Sequence, residues 1–228
     1  MKKVLAVVIA GLLMSSIAFA QDVTPAAKAG SKSLNFTFNG LGTFGLNGTG
    51  PTAGAPTAGI GVSYFLNDDA AVRVGFQIGS QSSTIPANPP AGVSGTDGST
   101  SAFALGVTGD YLMYMNAGRV RPYFGGGLMF TLSTNDTKNP VIGGGTQPEV
   151  KNAPPAGTSF GLIGIAGAEF FLYPELSLSA EYNLNIFNVL SNSDREDING
   201  STTTTTKMGS TTTILGFGAA GATLHIYF

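Results

Sequence analysis

From Leu34 to the last residue, apolar side chains recur at every second position, the period of a strand with two unlike faces. Leu34, Phe36, Phe38, Phe44 and Leu46 open the pattern, and Ala58, Ile60, Val62, Tyr64 and Leu66 repeat it. Val72, Val74, Phe76 and Ile78 form a third run, and Phe103, Leu105, Val107, Tyr111 and Met113 a fourth. Val120, Pro122, Phe124, Leu128, Phe130 and Leu132 form a fifth, and Phe160, Leu162, Ala166, Ala168, Phe170 and Leu172 a sixth. The seventh is the clearest, with Leu176, Leu178, Ala180, Tyr182, Leu184 and Ile186 against Ser177, Ser179, Glu181, Asn183 and Asn185. The last ends in Leu224, Ile226 and Phe228, with Thr223 and His225 on the other face. The pattern predicts eight strands joined by connections of alternating length. Short turns fall at 67–69, 116–118 and 173–175, and long Gly/Pro/Ser/Thr/Asn-rich connections at 47–56, 79–101, 133–158 and 189–212.

Composition decides which face meets water. Only 11% of residues are charged, against about a quarter in an average soluble domain. The face bearing Arg73, Asp110, Arg121, Glu169 and Glu181 is too sparsely charged for an outer surface, and the opposite face has too many large aromatics for a small lumen. A soluble lipocalin-like barrel, apolar inside and charged outside, therefore fits poorly. In hydrocarbon every backbone N–H and C=O needs a partner within the protein, so strands span lipid only as a barrel without edges. These readings give an all-β, eight-stranded antiparallel up-and-down transmembrane β-barrel, with short turns and both termini on the periplasmic side and long extracellular loops. Glycines 75, 125, 127, 161 and 167 fall on the lumen face, where space is scarcest, as do Ile163, Ile165, Leu215 and Phe217. Tyr64, Tyr111, Phe170, Tyr173, Tyr182 and Phe228 lie near the short-turn end, as an interfacial girdle would.

Lys2 and Lys3, the apolar run from Val4 to Met14 and Ala18-Phe19-Ala20 have the order of a secretory signal. The apolar run falls short of the ~20 residues of a membrane-spanning helix. The domain reading is a cleaved signal at 1–20, a short periplasmic segment at 21–32 and a barrel over 33–228. With no cysteine, disulfides and thiolate chemistry are excluded; with one histidine, so is a multi-histidine metal site; and a net charge of -2 gives no footprint for nucleic acid.

Three segments carry a resemblance to known proteins. They are Arg121-Pro122-Tyr123-Phe124-Gly125-Gly126-Gly127, the stretch 164–172, and Leu176-Ser177-Leu178-Ser179-Ala180-Glu181-Tyr182. They resemble strands of small outer-membrane barrels of the OmpA and OmpX type, and the likeness covers nearly the whole mature chain. Leu224, Ile226 and Phe228 are similar to the terminal assembly signal of that class. The resemblance implies outer-membrane lipids, lipopolysaccharide and the barrel assembly machinery as partners, with loop ligands as further candidates. Nothing follows Phe228, so the periplasmic peptidoglycan-binding domain of full OmpA-type proteins is not expected.

Other motifs fail the tests their chemistry sets. Gly40-Leu41-Gly42-Thr43-Phe44-Gly45 matches G-x-G-x-x-G but sits in a strand with no helix to hold a pyrophosphate. Asp194, Glu196, Asp197 and Asn199 form an acidic cluster, yet an EF-hand register around Gly200 puts Thr206 where a glutamate is required. His225 lies three residues from the end, away from the outer rim where a lipid-modifying barrel enzyme would act. No catalytic residue, cofactor or metal is assigned. Five lumen-face charges remain: Asp110 and Arg121 are expected nearly opposite one another, Glu169 and Glu181 likewise, with Arg73 beside Asp110 and Arg121 beside Glu169. One connected ion-pair network then fills the periplasmic half of the lumen. The expected function is a structural or surface-interaction barrel with a largely plugged lumen; a narrow pore or small-solute conduit is the alternative, and a lipid-modifying enzyme a third.

Overall fold

A computed structural model describes residues 23–39, 58–115, 118–154 and 156–228. The expected signal at 1–20, the glycine motif at 40–45, the connection at 47–56 and two residues of the turn at 116–118 lie outside them. The strands are β1 (Lys32–Asn39), β2 (Ala58–Asn67), β3 (Ala70–Ile85), β4 (Gly95–Thr96), β5 (Gly98–Tyr114) and β6 (Val120–Lys138). They continue as β7 (Val141–Ile142), β8 (Glu149–Lys151), β9 (Gly157–Tyr173), β10 (Leu176–Asn192), β11 (Arg195–Asn199), β12 (Thr202–Thr206) and β13 (Ser210–Tyr227).

Every pairing is antiparallel, as short hairpin turns dictate. The long strands pair in the order β6-β5-β3-β2-β1-β13-β10-β9, and β6 also pairs β9, so the order returns to its start. Each of these eight strands therefore has a neighbour on both sides. At the seam of first and last strands, the Lys32 N–H donates to the Phe228 carbonyl at 3.2 Å and the Phe228 N–H to the Lys32 carbonyl at 3.0 Å.

Burial follows the alternation, with polarity inverted relative to a soluble protein. Ile60, Val62 and Phe76 are 57%, 53% and 52% exposed, while Arg121, Glu169 and Ser177 are 1%, 0% and 0% exposed. An outward apolar face and an inward polar one is the arrangement lipid demands. Between β2 and β3 and between β9 and β10 the turns are Asp68-Asp69 and Pro174-Glu175, where expected.

Three expectations change. The strands run further into the long connections than the alternation indicates: β3 continues to Ile85, β5 begins at Gly98 and β6 continues to Lys138. These extensions are rich in Ser, Thr and Gln and mostly exposed or half-buried, because beyond the lipid neither face must be apolar and the period of two loses its contrast. The long connections also carry β4, β7, β8, β11 and β12, and the last three extend the main sheet from the end of β6. Leu215, expected inside, is 72% exposed. Its φ is +53°, and two steps along β10 (Asn183 to Asn185) lie against three along β13 (Ala219 to Gly216), a bulge beside which Leu215 and Ile214 are both exposed and the strict alternation of β13 is lost. The side chain of Phe217 is outside the described residues.

The third change is at the short-turn end of the interior. Phe65, Tyr114, Tyr123, Phe171 and Tyr227 are all buried there, and Leu112, Ile165 and Ile163 continue the same buried cluster inward, Ile163 as far as the interior cavity. Their rings form a chain, with centroids 5.1 Å apart for Phe65–Tyr114 and Tyr114–Tyr123 and 5.5 Å for Phe171–Tyr227. The expected aromatic girdle has an inner counterpart. Tilted contacts at these separations are favourable for aromatic pairs.

Candidate functional site

The interior charges sit where neighbouring strands bring them, each from a lumen-facing position of a different strand. Arg73 of β3 is directly across from Asp110 of β5. Its Nε donates to Asp110 Oδ2 at 2.8 Å, and its Nη1 and Nη2 donate to Glu181 Oε2 and Oε1 at 2.7 and 3.0 Å. One guanidinium thus holds a carboxylate bidentately and a second end-on, the fixed fork that makes arginine suited to this task. Glu181 Oε2 also accepts from the Tyr123 hydroxyl at 2.9 Å. The tyrosine ring lies over Gly167, where a Cβ would come within 2.7 Å of its Cζ and hydroxyl, so the wall is cut away to admit it. Gly127 does the same for Asp110, whose Oδ1 stands where its Cβ would be.

Glu169 is held by hydroxyls. Its Oε1 accepts from Ser177 Oγ and, at 2.5 Å, from the Tyr227 hydroxyl. Glu169 lies across from Ser179, and Glu181 across from Gly167, so the two glutamates are diagonal neighbours rather than a facing pair. Arg121, expected one strand from Glu169, is across from it in register. Asp110 and Arg121 are not opposite one another: Asp110 faces Gly127 and Tyr114 faces Tyr123, which puts Arg121 well toward the turn. There its Nη1 donates to the Ala27 carbonyl at 2.9 Å and its Nη2 to the Asp68 carbonyl, with the guanidinium 4.8 Å from the Tyr114 ring and 5.7 Å from Phe65. The structure gathers Arg73, Asp110 and Glu181 into one cluster and sets Arg121 among backbone carbonyls and rings.

A second interior chain runs through His225. Asn35 Nδ2 donates to Ser63 Oγ at 2.6 Å, which leaves Asn35 Oδ1 to accept from Ser33 Oγ at 2.8 Å. Oδ1 also lies 2.9 Å from His225 Nδ1, so Nδ1 carries the proton and Nε2 accepts from Ser179 Oγ at 2.9 Å. Serine, histidine and an orienting amide at these distances have the order of an acyl-transfer triad. Ser179 and His225 are 1% and 3% exposed, and neither borders the interior cavity, so no scissile bond can approach the hydroxyl. The arrangement is a buried hydrogen-bond chain, and no spacing in the sequence announces it because its members come from β1, β2, β10 and β13.

Above the Arg73 cluster, on the side away from the short turns, a cavity of about 40 Å³ is lined by Thr37, Gln77, Thr108, Asn183 and the cluster itself. Such a space admits a few water molecules, at roughly 10–15 Å³ each. Among the described residues no group of three or more His, Cys, Asp or Glu side chains could hold a metal ion. Leu224, Ile226 and Phe228 line the outer face of β13, Ile226 40% and Phe228 75% exposed, and Leu224 is paired in register with Leu178 and Phe36.

Residues 5–218 match the outer membrane protein beta-barrel domain family. The chain belongs to that family. As an outer-membrane barrel protein, it is exported through the periplasm to the outer membrane of a Gram-negative envelope. None of the curated proteins is a match. Among solved structures the barrel protein is similar to OprG of Pseudomonas aeruginosa, at 13% identity over 91% of this chain and 99% of that one, with a TM-score of 0.47. It is also similar to Neisserial surface protein A, at 14% identity over 87% and 96% with a TM-score of 0.39. The attachment invasion locus protein of Yersinia pestis aligns at 12% identity over 88% and 99%, with a TM-score of 0.39.

Proposed function

We propose that the chain is a closed eight-stranded transmembrane barrel with short periplasmic turns, long extracellular loops and a lumen that passes no continuous stream of solute. On this reading it serves as a structural and surface-contact protein. The observation that carries it is the Arg73 fork on Asp110 and Glu181, three strands tied across the interior by bonds of 2.7 to 3.0 Å. An eight-stranded barrel is just wide enough for side chains to fill, so one such cross-tie spans much of the bore. The outer half is where a partner would dock, since β11 and β12 stand beyond the lipid-facing alternation and Thr202–Thr206 is exposed along its length. Surrounding lipopolysaccharide, the assembly machinery and a loop ligand are the partners this reading implies.

Single-channel recording in planar bilayers tests it. The unaltered protein is expected to show no stable openings, and the Arg73→Ala, Glu181→Ala double variant to show small, frequent ones. Large, steady conductance from the unaltered protein would favour the conduit reading instead.

A further inference from the structure

Residues 23–31, ahead of β1, do not trail from the barrel. Ala27 is 6% exposed within the aromatic cluster, and Val23 and Ala26 pack against it. The Ala26 N–H donates to the Pro174 carbonyl at 2.8 Å, in the turn between β9 and β10. The Ala29 N–H donates to Asp68 Oδ1 at 2.9 Å and the Gly30 N–H to the Phe65 carbonyl at 2.9 Å, both at the turn between β2 and β3. Arg121, near the start of β6, completes the attachment through the Ala27 and Asp68 carbonyls. The segment turns back at Lys28–Ser31, where the Ser31 N–H and hydroxyl both donate to the Lys28 carbonyl and Gly30 has a φ of +82°. Two separate hairpins at the mouth are thereby bridged by one stretch of backbone, and its small side chains fit beneath the ring of Phe65, Tyr114, Phe171 and Tyr227.

The buried Arg121 guanidinium gives one N–H to the Ala27 carbonyl of this segment and another to the Asp68 carbonyl of the wall, so it ties the segment to the barrel by a charge-assisted bond. We propose that residues 23–31 are a built-in ligand of the short-turn mouth, a strap that seals it, with Arg121 as the positioning residue that seats it. The proposal rests on the barrel reading above only in taking this mouth as periplasmic; it is independent of what the Arg73 cluster does to conduction.

The chain contains no cysteine, so single-cysteine labelling reads the strap directly. Ala27→Cys and Lys28→Cys, each in folded protein in detergent, are reacted with a charged maleimide. Position 27 is expected to react at least tenfold more slowly than position 28. Adding Arg121→Ala should bring position 27 to the rate of position 28 while the heat-dependent gel shift of the barrel is kept. Should Arg121→Ala fail to fold, Ala26→Pro, which removes the N–H given to Pro174 without touching the wall, is expected to speed labelling at position 27. Equal rates at 27 and 28 without further substitution, or a position 27 still protected in folded Arg121→Ala or in Ala26→Pro, would overturn the strap. Loss of the heat-dependent shift in the unsubstituted protein would contradict the barrel reading instead.

Discussion

At the scale of single residues, the interior is organised around one arginine that two carboxylates share. Removing one partner of a buried pair leaves a charge unpaired, at a cost of about 3–5 kcal/mol, whereas removing the pair together costs much less. Arg73→Ala is therefore expected to lower the unfolding free energy in denaturant by that amount, and Glu181→Ala on top of it to restore part of the loss. Strictly additive losses in the double-mutant cycle would mean the two side chains do not interact. Tyr123→Phe removes the hydroxyl that donates to Glu181 Oε2 and is expected to cost about 1–2 kcal/mol in the same assay. That Arg73 and Asp110, and Arg121 and Glu169, sit on adjacent strands is legible in the sequence, but their register is not, because long connections join those strands and only a short hairpin turn fixes register. Counting misplaces Asp110 opposite Arg121 because Asp110 lies six residues before Asn116 and Arg121 only three after Gly118, so the two are not equidistant from the turn. That miscount hides the different task of Arg121. The inner aromatics are also within reach of the sequence: Phe65, Tyr123, Phe171 and Tyr227 share the parity of Ser63, Arg121, Glu169 and His225, as Tyr114 shares that of Asp110.

At the scale of elements, the alternation marks the lipid-crossing part of each strand and falls silent beyond it. Residues 80–85 of β3 and 98–103 of β5 stay paired in register although their composition reads as loop, since pairing needs only backbone groups once neighbours hold the strands side by side. The bulge between β10 and β13 has no signature in composition, and simple counting across it puts Leu215 on the wrong face. The closing strand makes the clearest prediction here. Phe228 projects outward beside Ile226, and its backbone meets Lys32 at the seam of β1 and β13. Deleting Phe228 is expected to reduce the amount of protein in the outer membrane severalfold while export and signal cleavage proceed as before. Equal outer-membrane levels, measured on membrane fractions, would mean that the terminal residue is not what the assembly machinery reads.

At the scale of the whole molecule, one inversion explains the composition, the fold and the place of the chain in the envelope. Lipid supplies the apolar surroundings that the core of a soluble protein supplies to itself, so charge can be scarce and still be concentrated inside. From the short-turn end inward, the interior stacks a backbone strap, a ring of aromatics with Arg121, the hydroxyl-held Glu169, the Arg73 cluster and a small cavity. The direct test of this inversion uses the protein unsubstituted, methyl-labelled and placed in lipid nanodiscs. Nuclear Overhauser contacts to lipid acyl chains are expected from Ile60, Val62, Val74, Leu105 and Leu162, and none from Leu112, Ile163 or Ile165. Acyl-chain contacts from Ile163 and Ile165, or their absence from Ile60 and Val62, would contradict the account.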